Sequence, residues 1–519
     1  MRGTSRFPFV LFLLAGLCLA ASRFPATAAT YADPAAAWDR AGLRTAPPAP
    51  VQALSVRDFG AAGDGLTDDT AAFESAIAAL ASPGILSVPA GTYRITRSLA
   101  LKSGLVLRGA GATASKLVFN LGGAADPCLD FTTYNSRSWV SLSKDAALGD
   151  TAVTVAGAAA MAPGDWIEIE RQNDAALMDT DPEWNQDWAQ GVVGQFVMVT
   201  AVSGNTVSLD RPLRLGFATT LAARARVQRL GQHVGIEDLG IAREDPGPDG
   251  GATIHFKYAA NCWVRRVDSR HTVAAHVYAE SSAAIEVTDS TFQYAHDYGD
   301  GGRGYGVSLG RHTSDCLVQN NVFASLRHAM VVSQGANGNV FGYNFSTIRK
   351  CESTAWTPCD ISVHGHYPFR NLFEGNMVEE VDDTDYWGPA GPGNVFLRNV
   401  VSREGIEVMD ASHGQAVLGN LLLAGGPLRV DAGITGTVLS GNIVTDATDA
   451  SPAIAQSDAP ASLYLAAAPS FFAAAGWPML SGGADVNPAG LRYQAATTVS
   501  TTTSANPAMS HILFTLLGQ

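Results

Sequence analysis

The sequence predicts an all-β solenoid of the single-stranded parallel β-helix class, because asparagine recurs within one repeating apolar frame. Two apolar residues lie four and three positions before each repeating asparagine, and one apolar residue follows it. A second polar column lies five positions before four of these asparagines, at Asn339, Asn371, Asn394 and Gln415. The repeating asparagines are Asn321, Asn344, Asn376, Asn399, Asn420 and Asn442, at intervals of 23, 32, 23, 21 and 22 residues.

The repeating unit is predicted to consist of short strands and turns rather than a pair of helices. Apolar runs of two or three residues are too short for helices, and asparagine favours the bends between strands. Side chains of asparagine stacked from one turn to the next can hydrogen-bond as a ladder. The spacing therefore predicts one coil per repeat, with a longer loop between Asn344 and Asn376.

Length and charge narrow the class of protein. One long solenoid accommodates 519 residues without several separate cores. The net charge of -14 argues against a general nucleic-acid binder, so no nucleic-acid partner is expected.

Residues 1–29 have the pattern of a secretory signal peptide. Arg2 and Arg6 precede an apolar run over 9–21, and small residues follow at 26–29. The apolar run is short for a membrane span. We therefore expect export to the periplasm or the medium, with no membrane attachment after cleavage. Residues 30–53 are rich in alanine and proline and are predicted to form a linker.

Residues 54–144 are predicted to form an N-terminal cap and the first coils. They contain Asp-Phe-Gly at 58–60, Gly-Asp-Gly at 63–65 and Thr-Asp-Asp-Thr at 67–70, followed by an alanine-rich amphipathic stretch at 71–80. This opening resembles that of the pectate-lyase-like superfamily of right-handed parallel β-helices. The resemblance implies a capping helix after the motif and a secreted protein that acts on polysaccharides. The superfamily includes lyases, hydrolases, epimerases and tail-spike depolymerases.

The remaining chain divides into three parts by its patterns. Residues 145–230 alternate polar and apolar positions around tight turns and are predicted to form a small antiparallel β insertion. Residues 231–448 are predicted to form the central β-helix that carries the active site. Residues 449–519 are rich in alanine, serine and threonine and are predicted to form a C-terminal cap and tail.

Two cysteines bracket a short segment within the longest interval of the repeat. These residues, Cys351 and Cys359, are separated by seven others that include Trp356 and Pro358. Because export leads to an oxidising compartment, we predict a disulfide that staples this loop.

A strip of ionisable residues is predicted along one face of the middle coils. Arg327, Lys350 and Asp382 each lie six positions after a repeating asparagine, and His296 takes the same place if Ser290 is aligned with the ladder. Coils of parallel strands stack about 4.8 Å apart, so these side chains would form a continuous strip. Ionisable neighbours in the strip include Asp297, His328, Arg349, Glu379, Glu380, Asp383 and Asp385.

Two further stretches, near Asn376, are predicted to bind substrate. His364 and His366 alternate with Val363 and Gly365, so on an extended strand both would face the same side. Aromatic side chains suit the flat C–H faces of sugar rings, although loop packing explains such residues equally well. The predicted substrate-binding residues are His364, His366, Tyr367, Arg370, Tyr386, Trp387 and Arg303.

These residue types favour β-elimination on an anionic, uronate-containing polysaccharide. Elimination needs a base for the C5 proton and a cation that stabilises the enolate-like intermediate. We assign these roles to Lys350 and Arg327, assisted by His296 or His328. The strip resembles the Lys/Arg-lined clefts of β-helix polysaccharide lyases, which implies Ca²⁺ as a cofactor. The carboxylates that would hold it are Glu379, Glu380, Asp383 and Asp385.

Two other functions remain open from the sequence. An inverting glycoside hydrolase would use Asp382 with a second carboxylate about 5 to 10 Å away. A non-catalytic glycan-binding protein would keep the aromatic residues and would not need the charged strip.

Overall fold

We describe a computed structural model of the chain over residues 33–247, 251–299, 301–352, 358–384, 386–445, 459–472, 477–479 and 487–503. The predicted signal peptide lies outside these ranges. Within them, no helix combines the length and apolar character needed to cross a membrane.

The structure is built from two long parallel sheets, which confirms the predicted parallel β-solenoid. One sheet has twelve strands that pair coil to coil. Its strands are Gln52–Ser55, Gly84–Val88, Leu105–Gly109, Gly235–Glu237, Trp263–Arg265, Glu286–Thr288, Leu317–Gln319, Val340–Gly342, Leu372–Glu374, Val395–Leu397, Ala416–Leu418 and Val438–Ser440.

The second sheet has twenty strands arranged in two columns. The columns join because Met377–Asp383 and Val400–Val408 are long enough to pair in both. Strands of the first column are Asp64–Asp68, Gly91–Ile95, Ser115–Phe119, Gly240–Arg243, Asp268–Thr272, Thr291–Ala295, Val322–Ala324, Phe345–Thr347, Leu421–Leu422 and Ile443–Val444. Strands of the second column, called the site column below, are Leu99–Ala100, Leu129–Thr132, Ile254–Lys257, Ala275–Glu280, Tyr305–Gly310, His328–Ser333, Ile361–His364 and Leu428–Val430.

Asparagine ladders hold the two bends that join the twelve-stranded sheet to the first column and to the site column. The backbone N–H of Asn344 donates to Oδ1 of Asn376 at 3.0 Å, and its Nδ2 donates both to that Oδ1 and to the carbonyl of Val318 in the preceding coil. The same pattern runs from Asn321 to Asn442, and Asn321 Oδ1 receives the N–H of Ser290. A second ladder of Asn339, Asn371, Asn394 and Gln415 holds another bend. Both ladders were predicted from the sequence.

The residue before each ladder asparagine adopts a left-handed backbone conformation. Gly375, Gly419 and Gly441 occupy this position with φ of 65°, 60° and 65°, where a side chain would be strained. Asn320, Tyr343 and Arg398 take the same conformation at the other coils. A left-handed residue followed by a bonded asparagine thus makes each sharp bend.

Apolar side chains fill the interior from the first coils to the last. Phe341, Phe373 and Phe396 stack in register, with ring centroids 5.1 and 5.2 Å apart. The stack follows directly from strand pairing, because identical positions of successive coils lie opposite each other.

Antiparallel strands form a separate six-stranded sheet between the early and middle coils. It contains Val140–Ser141, Ala152–Thr154, Trp166–Arg171, Val193–Ser203, Thr206–Leu209 and Arg224–Val227, and is called the insertion sheet below. Gly231–Gln232 and Ala259–Ala260 form a two-stranded parallel sheet. The α-helices are Thr70–Ala79, Ala175–Met178 and Pro488–Thr503, and the 3-10 helices are Trp38–Arg40, Val56–Phe59, Asp187–Ala189 and Thr219–Leu221.

The N-terminal segment packs firmly, which corrects the prediction of a linker over 30–53. Trp38 is buried and its indole N–H donates to the carbonyl of Arg370 at 2.8 Å. The guanidinium of Arg44 pairs with Asp210 of the insertion and with Asp315 of the solenoid. The alanine- and proline-rich composition predicted a linker wrongly, because a few side chains such as Trp38 and Arg44 hold this stretch against the rest of the protein.

We predict that Asn376→Ala lowers the free energy of unfolding by about 1–3 kcal/mol, since it leaves buried partners in two neighbouring coils without hydrogen bonds. Urea unfolding followed by circular dichroism measures this change. Asn205→Ala, at an exposed turn of the insertion sheet, is the matched control and should change stability little. Equal stability of the two variants would contradict a structural role for the ladder.

Candidate active site

Strand register decides which side chains of the site column point away from the apolar interior. Residues alternate between the interior and the outer face, as strands require. Val363 points inward and Ser362 outward, and the pairing places Asp382 beside Ser362 and Glu407 beside Asp382. Asp382 and Glu407 therefore lie in one outward row on adjacent coils.

A tyrosine and two histidines cluster on this face. The ring centroids of Tyr305 and His328 are 5.1 Å apart, and His364 lies 6.4 Å from each. Tyr305 and His328 pair directly across adjacent strands, and His364 ends the next strand. Tyr305 and His328 are recessed, whereas His364 is partly exposed. Three groups able to transfer protons thus meet where His364 is partly exposed and the other two are buried, and this place is called the recess below.

Arg327 adds a positive charge beside this cluster. Its guanidinium carbon lies 5.9 Å from the centroid of the Tyr305 ring. Nη1 donates to the carbonyls of Gly299 and Gly301 at 2.6 and 2.7 Å, which fixes the side chain. Among the residues that the structure describes, no carboxylate forms a salt bridge with Arg327. A buried guanidinium without a paired carboxylate favours an anionic ligand nearby.

The backbone at Cys359 orients His328. Nδ1 of His328 lies 3.0 Å from the carbonyl oxygen and 3.4 Å from the backbone nitrogen of Cys359, so this nitrogen has a partner there in either tautomer. The Cys359 sulfur lies 3.3 Å from the same Nδ1. The predicted bond between Cys351 and Cys359 is not observed in the described part of the chain. The Cys359 thiol packs against the imidazole instead.

Four ionisable side chains surround a single guanidinium in the next coils. Nε of Arg349 contacts Glu379 at 3.1 Å, Nη1 pairs with Glu380, and Nη2 lies 3.4 Å from Glu404. Asp360 accepts the backbone N–H groups of Glu379 and Glu380 at 2.6 and 3.0 Å. Arg349, rather than its predicted neighbour Lys350, is therefore the central cation among these acids.

The single positive charge of Arg349 does not neutralise all of these carboxyl groups. The raised pKa values of Glu380 and Asp360 show this. Burial, with the adjacent charge of Asp382, raises the pKa of Glu380 to about 8. Burial, with the charge of Glu379, raises the pKa of Asp360 to about 6. Glu380 thus keeps a proton near neutral pH and is able to donate it.

The predicted alignment of Lys350 with Asp382 is not formed. The backbone N–H of Lys350 donates to the carbonyl of Leu326, so Lys350 lies next to the coil of Arg327 with an exposed side chain. Asp382 instead pairs with Ser362 and Glu407. The site-column strand of the coil that contains Lys350 begins only at Ile361, so a count from Asn344 reaches Lys350 before the chain returns to that column.

Asp383 points into the apolar interior, which corrects its assignment as a metal ligand. It lies between Val363 and Val408 in an inward row. The residue is fully buried, and neither carboxyl oxygen has a hydrogen-bond partner within the described ranges. Burial raises the pKa of this carboxyl well above its usual range. It therefore holds a proton at neutral pH.

The predicted calcium site is not assembled by the described residues. Glu379 and Glu380 contact Arg349, while Asp383 lies on the other side of the strand; Asp385 is outside the described residues. Three close ligand groups occur instead at Glu168, Glu170 and His312. Two of those already pair, since His312 Nδ1 lies 2.8 Å from Glu168, and Arg224 and Arg226 neutralise the two acids. This second group joins the insertion sheet to the solenoid.

His366 faces a different environment from His364, contrary to the prediction that both share one side. The strand ends at His364, and Gly365 and His366 adopt left-handed conformations with φ of 49° and 55°. The His366 ring lies 4.3 Å from Trp188 and 6.1 Å from Trp387, measured between centroids. Trp188 and Trp387 are 5.6 Å apart, and Tyr386 lies 5.0 Å from Trp387.

Tyr367 and Arg370 have structural positions rather than the predicted contact with substrate. Tyr367 is buried among apolar residues of the insertion sheet. Nε of Arg370 pairs with Asp33 at 2.7 Å and Nη1 donates to the carbonyl of Arg214, so this side chain anchors the N-terminal segment.

His296 and Arg303 lie at the edge of the site. Nε2 of His296 lies 3.0 Å from the carbonyl oxygen of Arg243, and its ring is 5.7 Å from that of His271. Arg303 pairs with Asp297, on the loop whose carbonyls hold Arg327. Neither ring nor guanidinium belongs to the tyrosine–histidine cluster by these contacts.

Three features were missed from the sequence. They are the presence of Tyr305 and Trp188 at the site and the contacts of Arg349 with three glutamates. Tyr305 lies between Gly304 and Gly306, and a large side chain between two glycines was the available signal. Trp188 comes from the insertion, more than a hundred residues from its partners, and no local pattern reveals such a contact.

We predict that Asp383→Val raises the free energy of unfolding by roughly 1–3 kcal/mol at neutral pH, because it removes an unpaired buried polar group between two valines. The folded protein keeps the proton while the unfolded chain releases it near its ordinary pKa of 3.8. The native protein therefore loses stability as pH rises above about 4, and the advantage of the variant grows. Thermal unfolding across this pH range tests the prediction; a less stable variant would contradict the inward placement.

Comparisons with known proteins agree with this architecture. Residues 53–142 match the family described as rhamnogalacturonase A/epimerase, pectate lyase-like. Mannuronan C5-epimerase AlgE5 of Azotobacter vinelandii is 44% identical over 75 residues, which cover 12% of this chain and 8% of that protein. The preneck appendage protein of Bacillus phage PZA is 44% identical over 66 residues, covering 13% of this chain and 7% of that protein. The chain thus matches less than a tenth of the length of these relatives.

Two solved structures share the fold at low sequence identity. The tailspike gp61 of Pseudomonas phage phi297 superposes with a TM-score of 0.55 at 14% identity, covering 76% of each chain. The tailspike gp49 of Pseudomonas phage LKA1 gives a TM-score of 0.54 at 18% identity, covering 71% of this chain and 64% of that one. The chain is therefore a parallel β-helix protein with a pectate-lyase-like N-terminal part, as its opening motif predicted.

Proposed function

We propose that this protein is an exported polysaccharide lyase that cleaves a uronate-containing chain by β-elimination. The observation that supports it most is the recess in which Tyr305, His328 and His364 meet beside Arg327. These residue types match the three requirements of the reaction, which are a base, an acid and a positive charge near the carboxylate.

His328 serves as the base in this proposal. The proposal uses the tautomer in which Nδ1–H donates to the carbonyl of Cys359, which leaves Nε2 to accept the C5 proton of the uronate. The electron pair of the broken C5–H bond forms the C4–C5 double bond while the C4–O glycosidic bond breaks. Tyr305, whose ring is 5.1 Å from His328, donates its hydroxyl proton to the leaving oxygen.

Arg327 stabilises the intermediate. Negative charge grows on the carboxylate of the substrate as the C5 proton leaves, and a fixed guanidinium lowers the energy of that state. Arg327 is held by the carbonyls of Gly299 and Gly301 and so is already in position before substrate binds. Lys350, exposed one coil away, adds positive charge for a second uronate.

The sequence match to mannuronan C5-epimerases supports a uronate substrate. As their name states, those enzymes act at C5 of a uronate, and abstraction of the C5 proton is the first step of both epimerisation and elimination. The two reactions diverge after that step, because epimerisation returns a proton to C5 whereas elimination expels the C4 oxygen. A proton donor such as Tyr305 suits either reaction, and in this proposal it protonates the leaving oxygen. Ca²⁺ is not assigned a role, because Arg349 already contacts two of its predicted ligands.

Hydrolysis is the second candidate function, and the raised pKa of Glu380 is the observation that favours it. With a pKa of about 8, Glu380 holds a proton that a general acid needs, and the charged Asp382 lies close enough to raise that pKa. Asp382 or Glu407, in the adjacent outward row, would then activate water.

Ultraviolet absorbance of products from a panel of uronate polymers separates the candidates, because elimination leaves a conjugated double bond and hydrolysis does not. We expect an absorbing product from at least one polymer. A new reducing end without that absorbance would overturn the lyase and favour hydrolysis; C5 inversion without cleavage would favour epimerisation.

Substitutions in the recess should lower turnover strongly. We predict that His328→Ala, Tyr305→Phe and Arg327→Ala each reduce turnover by about 10²-fold or more, as expected for loss of a base, an acid or an electrostatic stabiliser. Lys144→Ala, an exposed charge on the insertion, is the control and should retain activity. Full activity of Tyr305→Phe together with His328→Ala would contradict the assigned roles.

The pH profile gives an independent test. If Glu380 is the general acid, activity falls as pH rises through about 8, where this group loses its proton, and Glu380→Gln abolishes that fall together with the activity. In the lyase, His328 must be neutral, so activity rises with pH and Glu380→Gln retains a large part of it. Turnover measured across pH for both proteins decides between these results.

A further inference from the structure

Four aromatic rings from two distant parts of the chain meet at one end of the site. They belong to His366, Tyr386 and Trp387 of the solenoid and Trp188 of the insertion, and are called the aromatic clasp below. Trp188 is 50% exposed and Tyr386 is 45% exposed despite these contacts. Large apolar surfaces left in solvent side by side are typical of binding sites.

Backbone features hold the clasp in this arrangement. Gly388 has φ of 97°, and a side chain there would meet the Trp184 ring at 2.9 Å. Gly365 has φ of 49°, and a side chain there would meet Trp387 at 2.5 Å. The hydroxyl of Tyr386 hydrogen-bonds Glu183 of the insertion. The solenoid loop at 386–388 and the insertion loop at 183–188 are thus in close contact with each other.

The clasp lies next to the proton-transfer cluster. His366 is two residues after His364, whose ring is 6.4 Å from both Tyr305 and His328. The left-handed conformation at Gly365 separates the rings of His364 and His366. The His364 ring therefore lies at the recess and the His366 ring lies in the clasp. A ligand extending from the recess along the site column toward the insertion would reach the clasp next.

We propose that the insertion supplies half of a sugar-stacking subsite, in which Trp188 and Trp387 contact the apolar face of a pyranose ring adjacent to the reacting uronate. The identity of the neighbouring reaction rests on the proposed function, but the binding of a saccharide does not. The two indoles lie at 77° to each other, so one offers its face and the other its edge to a bound ring. The insertion thereby binds the polymer through Trp188 and positions it beside the recess.

A saccharide fits these observations better than an apolar peptide does. The clasp is bordered by hydrogen-bonding groups, including the carboxylate of Glu183 and the imidazole of His366, which suit hydroxyl groups around a ring. Stacking supplies affinity while polar neighbours orient the ring, as at other small-molecule sites.

Binding to the His328→Ala protein tests the subsite without turnover. Tryptophan fluorescence is titrated with uronate oligosaccharides and with neutral oligosaccharides of equal length. We expect Trp188→Ala and Trp387→Ala, each in that background, to weaken binding of at least one saccharide by about fivefold or more. Trp139→Ala is the matched control, since that indole stacks between Arg224 and Arg226 away from the clasp.

The outcomes are distinguishable from those of the proposed reaction. In the active protein, Trp188→Ala should raise KM with little change in kcat, whereas a loss of the chemistry would lower kcat. Unchanged affinity in both clasp variants, with native unfolding profiles, would overturn the subsite even if elimination occurs. Weakened binding in a protein that makes no unsaturated product would retain the subsite and overturn the lyase.

Discussion

The hydrogen bonds between stacked asparagines are the interaction on which the rest of the structure depends. Each coil must make sharp bends whose backbone groups are buried, and such groups are costly when unpaired. Asn376 satisfies groups in the coils on both sides at once, through Oδ1 to Asn344 and through Nδ2 to Phe341 and Asn399. Removing one member would therefore disturb three coils, and with them the register of the strands beyond.

Register in turn decides which residues reach the site. With the bends fixed, Tyr305 and His328 pair directly across adjacent strands, whereas His364 pairs with Ser333 and its ring lies 6.4 Å from the other two. The same constraint places Asp383 in the interior beside Val363, where an acid is unfavourable. A valine would stabilise that position, so the native residue carries a stability cost that the fold tolerates.

The ladder and the repeat were predictable because they arise from local sequence spacing repeated many times. The geometry of the candidate site was only partly predictable, since Arg327 and His328 were named as candidates from the sequence while Tyr305 was not. Counting from the ladder failed at Asp382 because its partner strand, Ile361–His364, begins only after the long insertion that contains Lys350. Contacts made by Trp188 or Arg370 with distant segments depend on the folded chain and leave no periodic signal.

The most direct test of the proposed site is a structure of the His328→Ala protein with a bound uronate oligosaccharide. We expect a carboxylate near Arg327, a scissile oxygen near the Tyr305 hydroxyl and the next ring packed against Trp188 and Trp387. A saccharide seated instead in the hollow lined by Pro48, Trp263 and Arg265, beside the twelve-stranded sheet, would contradict the assignment of the site.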